Sequence, residues 1–122
     1  MTSRGFELEE RLTNFSKELL VFCRSLNADH FNKPLISQLI RSGTSIGANY
    51  CEANNASSKK DFLNKIFICK KEAQETKYWL SLIKESESDK TEVVRMYDQC
   101  HEFVLIFQKI VSTMKNKELT NK

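Results

Sequence analysis

Residues 40–62 read IRSGTSIGANYCEANNASSKKDF and contain the end of one helical pattern, a break, and the start of the next. Gly43, Ile46, Tyr50 and Ala53, preceded by Leu39, recur in steps of three and four, the spacing that keeps side chains on one face of a helix. The stretch is also rich in small residues, Ser42, Gly43, Ser45, Gly47 and Ala48, where a buried helix ordinarily carries bulk. Small side chains let a second backbone approach closely, inside a bundle or across a subunit boundary. After Ala53 the pattern stops. Ser58 followed by Asp61 then resembles a capping box, with Asp in place of the usual Glu or Gln.

The same rhythm extends outward in both directions. Asn32 and Pro34 supply a cap and a first-turn proline, which predicts a helix over about 34–53. Before it, Leu8, Leu12, Phe15, Leu19, Phe22 and Leu26 predict one over about 6–26. Phe62, Ile66, Cys69, Ala73, Thr76, Leu80 and Ile83 predict a third over about 59–86. The break SESDKTE offers Asp89 and Glu92 as a second capping box. Val93, Met96, Cys100, Phe103, Phe107, Ile110 and Met114 then predict a fourth helix over about 90–116, with a polar tail from Lys115 expected to fray.

Three glycines and one proline in 122 residues leave few sharp turns, and 40% hydrophobic with 29% charged residues excludes a disordered chain. The length suits one modest core. These features predict a single all-α domain over residues 1–122, an antiparallel up-down-up-down four-helix bundle.

Several functional classes are disfavoured. Cys23, Cys51, Cys69 and Cys100 form no C-x-x-C pair, and no histidine stands at zinc-ligand spacing, so no metal is expected. Each cysteine lies in or beside an apolar stripe, as expected of small buried thiols in a reducing cytoplasm. A di-iron bundle needs two Glu-x-x-His pairs, whereas the only histidines are His30 and His101, the latter expected to be a partly buried structural residue. With no Gly-rich phosphate loop either, neither catalysis nor a cofactor is expected. MTSRGFELEE turns acidic at once and the longest aliphatic and aromatic run is Phe103–Phe107, so neither secretion nor membrane insertion is expected.

Three surface features remain. Leu63, Phe67, Tyr78, Trp79 and Leu82, with Ile36 and Ile40, fall partly outside the core stripes and predict a subunit interface, or else a wide core in a monomer. Arg41, Ser45, Asn49 and Glu52 share one side of the second helix, as a structural polar network whose charges must pair or as a functional pocket. Lys59, Lys60, Lys65, Lys70, Lys71 and Lys77 face only Asp61, Glu72 and Glu75. With a net charge of +3, they form either a solvated face or a surface for phosphates, positioning nucleic acid without reading its sequence.

QLIRSGTSIGANYCEANNASSKKDFL, residues 38–63, resembles the signature of the four-helix bundle family known as 23S rRNA intervening-sequence proteins. That signature is roughly Q-L-x-R-[AS]-x-x-S-I-x-x-N-I-x-E-G, then a linker and a helix opening in charged residues and Phe. Gln38, Leu39, Arg41, Ser42, Ser45, Ile46, Asn49, Glu52 and Phe62 match in register, and Glu75 corresponds to a further family acid. Ala53 stands where the family has Gly, Ala56 at its linker Arg, and Lys71-Glu72 at a common Gly-Ser pair. The resemblance implies a left-handed bundle assembled as a homopentamer around a channel. It also implies kinship to the accessory variability proteins of diversity-generating retroelements, which bind nucleic acid and a reverse transcriptase. The expectation is a non-catalytic, oligomeric adaptor that contacts structured RNA or DNA through the lysines of the third helix; the alternative is a protein-interaction scaffold with no nucleic-acid role.

Overall fold

The four patterns correspond to four helices in a computed structural model that describes residues 3–120. They are α1 (Ser3–Ser25), α2 (Asn32–Asn54), α3 (Lys59–Lys84) and α4 (Thr91–Thr120). Ser58 caps α3 from extended backbone, its hydroxyl accepting the Asp61 N–H at 3.0 Å. The start of α2 uses a different cap from the one expected, whereas α4 uses the expected Asp89. Asp29 accepts the N–H groups of Phe31 at 3.0 Å and Asn32 at 2.8 Å, so α2 begins at Asn32 and Pro34 falls within its first turn. Asp89 accepts the Thr91 N–H at 3.0 Å, setting the start of α4.

The far end of α4 also departs from expectation. The helix runs to Thr120, past the expected end near residue 116. Lys115 Nζ lies 5.2 Å from the centre of the Phe67 ring, which ties this turn to α3, and Lys117 complements the negative end of the helix dipole.

The stripes bury one another. Leu12, Phe15 and Leu19 of α1 meet Leu39, Ile46 and Tyr50 of α2, Ile66, Cys69, Ala73 and Leu80 of α3, and Val93, Met96, Cys100, Phe103 and Phe107 of α4. Ile36 joins this core and is not part of an outer face. On α4, Val104 and Val111 are buried while Ile110 and Met114 are only partly covered. A strict seven-residue repeat drifts by about 20° per heptad on a straight helix, so the core-facing position has moved on by one residue there.

Helix α3 lies between α2 and α4, α1 lies against α2, and α1 has only sparse close backbone contact with α4. The small residues of α2 are used inside the bundle. A Cβ at Gly43 would fall 2.0 Å from Leu19 Cδ2, so the missing side chain there lets α1 approach, while one at Gly47 would sit 3.5 Å from Leu12 Cβ, in ordinary contact with α1. On the α3 side the Ser42 and Thr76 hydroxyls lie 3.0 Å apart, and Cys69 Sγ approaches the Ile46 carbonyl at 3.6 Å. Ala48 is exposed. Among the described residues, no helix is long and apolar enough to cross a membrane.

Candidate functional site

The polar side of α2 becomes a ladder to α3. Arg41 Nη1 lies 3.0 Å from Glu72 Oε2, Nη2 lies 2.5 Å from Glu75 Oε1, and Nε donates to Gln38 Oε1 at 3.0 Å. At the other end of the ladder, Glu52 pairs with Lys65 at 2.7 Å. Between them Ser45 donates to the Arg41 carbonyl at 2.6 Å and Asn49 to that of Ser45 at 2.8 Å, so both side chains turn back onto their own helix. The charges pair within one chain, fixing the register of α2 on α3. Glu72 is buried and needs that partner, because an uncompensated buried carboxylate is costly.

The Arg41 guanidinium holds the Glu75 carboxyl below its ordinary range. A depressed carboxylate contributes stability that is present above its unfolded pKa and lost as pH falls through the folded one. Thermal melts between about pH 5 and about pH 3 are therefore expected to show a loss that Glu75→Gln makes shallower. An identical acid dependence in the variant would count against the ladder.

The six lysines of α3 do not share one face. Lys65 points to α2 and Glu52, while Lys60 and Lys71 are exposed. Lys59, Lys70 and Lys77 line the side next to α4. Lys59 shares a groove with Met114, Lys70 Nζ donates to Gln108 Oε1 at 2.5 Å, and Lys77 Nζ lies 3.1 Å from His101 Nδ1 and 5.1 Å from the Tyr97 ring centre. His101 is exposed, contrary to expectation, because its position on α4 faces this seam and not the core.

Two further lysines belong to the seam. Lys115 of α4 sits over Phe67, and Lys84 shares with Val94, Tyr97 and Asp98 a groove of about 380 Å³. Lys115 lies on another helix, so counting along α3 misses it, whereas Lys84 is the last residue of α3 itself. Antiparallel pairing of the start of α3 with the end of α4 is the signal that finds Lys115.

The opposite flank of α4 has the other sign. Glu7, Glu10, Glu18 and Glu102 line a groove with Arg11 between α1 and α4. Here the cations are neutralised: Arg11 pairs with Glu102 at 2.5 Å, and Arg95 with Glu18 at 3.1 Å and with Glu92. On the α3 seam, by contrast, the ammonium groups of Lys70, Lys77 and Lys115 neighbour an amide, an imidazole and aromatic rings. The bundle thus carries its surface charge asymmetrically about α4.

Thiol chemistry is disfavoured by burial, which pushes Cys69 and Cys100 up to about 12 and Cys23 to about 11. A hydrogen bond to the Glu9 carboxylate, with burial, raises Cys51 to about 11. Among the described residues, no group of three or more His, Cys, Asp or Glu side chains could hold a metal ion. Of the suspected outer apolar face, Phe67, Tyr78 and Leu82 are exposed, whereas Leu63, Trp79 and Ile40 pack against the core.

No curated protein sequence matches the chain. Among solved structures it is similar to a protein of unknown function from the S23 ribosomal protein family of Bacteroides thetaiotaomicron VPI-5482. The two are 31% identical, with 88% of this chain and 97% of that chain covered and a TM-score of 0.77. The profile of the 23S rRNA-intervening sequence protein family matches residues 6–118, a span holding both the Arg41–Glu75 ladder and the lysine seam. By this match over nearly its whole length, the chain belongs to the 23S rRNA-intervening sequence protein family.

Proposed function

We propose that this protein is a non-catalytic, oligomeric adaptor of the cytoplasm that binds structured RNA or DNA through its phosphates. The observation that carries the proposal is the seam of Lys59, Lys70, Lys77, Lys84 and Lys115 between α3 and α4. The ammonium groups of Lys70, Lys77 and Lys115, beside neutral partners, keep their charge for a polyanion, and each phosphate contact releases counterions. The family's name agrees with an RNA context. Lys60 and Lys71, exposed on the neighbouring face, add to the same field.

Self-association, with five copies as the resemblance implies, would join apolar surface such as Tyr78 and Leu82, which are exposed at 56% and 36%. That same apolar surface favours the second reading, a protein-interaction scaffold for a reverse transcriptase or another protein partner. Binding to an RNA hairpin, followed by fluorescence anisotropy across a salt series, separates the two. The wild type is expected to weaken steeply with salt, and changing the five seam lysines to Gln to flatten the log–log slope by about 4. Absence of binding at low salt by a folded, oligomeric wild type would leave the scaffold.

A further inference from the structure

Resting on the nucleic-acid proposal, we infer that the α3/α4 seam takes a single strand, with phosphates on its lysines and bases stacked on Phe67 and Tyr97. A duplex needs only the cations. The seam also interleaves exposed aromatic rings with them: Phe67, 41% exposed, lies under Lys115, and Tyr97, 37% exposed, lies under Lys77. Each ring carries a cation over one face, so a base takes the other face or replaces an ammonium that moves to the phosphate. Rings and cations together are what single-strand binders use, because every base has a face to stack and every nucleotide a phosphate.

The spacing fits an extended strand. Lys59 to Lys84 spans about 37 Å at 1.5 Å per residue, and the two ring sites, at Phe67 and opposite Lys77, are about 15 Å apart along α3. Between them Lys70 and Gln108 offer a cation and an amide. Beyond Tyr97 the groove continues past the exposed Val94, with the cation Lys84 and the acid Asp98 both on its lining. A base pair inside a duplex hides both faces in its stack and would leave Phe67 and Tyr97 unused. The charge contrast across α4 also fixes which flank a polyanion takes, since the α1/α4 groove is lined by Glu7, Glu10, Glu18 and Glu102.

The test compares an unstructured twelve-nucleotide strand with a duplex of the same length, using the full chain in fluorescence anisotropy. The variants are Phe67→Ala with Tyr97→Ala, and Phe67→Leu with Tyr97→Leu to keep apolar bulk; both positions are exposed, and circular dichroism checks the fold. The inference predicts tighter binding of the single strand. It also predicts a loss of at least fivefold per ring in both variants, with the salt slope and the duplex affinity unchanged. If the duplex binds tighter and both variants hold the single strand as the wild type does, the stacking seam is overturned while the phosphate-binding adaptor stands. If neither nucleic acid binds at low salt, both proposals fall together.

Discussion

Phe103→Ala is expected to lower the stability of the bundle by about 3–5 kcal/mol, the cost of emptying a fully buried aromatic site. The effect is large here because of where the ring sits. Close backbone contact between α1 and α4 is sparse, so large side chains must fill the space between them. Phe103 is fully buried, meets Phe15 edge-on with ring centres 5.4 Å apart, and carries the Arg11 guanidinium 4.8 Å from its own centre. Truncation removes all three contacts at once. For a domain of this size the melting temperature should fall by roughly 10–20 °C, read by circular dichroism. Phe103→Leu, which keeps most of the volume, should cost only about 1–2 kcal/mol. Equal melting temperatures for wild type and Phe103→Ala would mean that α1 is not held to α4 through this ring.

Two glycines one turn apart on α2 are expected to respond in opposite directions. A Cβ at Gly47 meets Leu12 Cβ at 3.5 Å, ordinary contact, so Gly47→Ala should gain about 0.5–1 kcal/mol from helix propensity alone. At Gly43 the same atom would lie 2.0 Å from Leu19 Cδ2, with Leu19 itself wholly buried. Leu19 can relieve a single methyl by changing rotamer. Gly43→Val adds two stiff branches, with Thr76 Cγ2 already 3.7 Å from the Cβ, and should cost about 2–3 kcal/mol or more through overpacking. Urea titrations of the two variants decide the matter, and a stable Gly43→Val protein would show that α1 and α2 are not in close approach there.

The helix pattern was legible because four apolar stripes at steps of three and four can bury only against one another. The small residues of α2 were legible as a close approach, but the sequence could not say to what; Leu12 and Leu19 answer that, inside the chain. The start of α2 was less legible, since Asp29 reaches the Phe31 and Asn32 amides from outside the helix, whereas the sequence points to Asn32 as the cap. The ladder residues Arg41 and Glu52 were recognisable as charges needing partners, yet their partners Glu72, Glu75 and Lys65 depend on the register of two helices. The same dependence scattered the lysines. Six residues counted along α3 fall on three sides of it, while the seam draws two of its cations, Lys84 and Lys115, from outside that count.

The most direct measurement is ultraviolet cross-linking of the intact protein to RNA carrying 4-thiouridine, with the modified peptides mapped by mass spectrometry. The account predicts adducts at or beside Phe67 on α3 and Tyr97 on α4, suppressed by salt and by changing the seam lysines to Gln. Adducts confined to α1, around Glu7 to Glu18, or no adducts at low salt would contradict it.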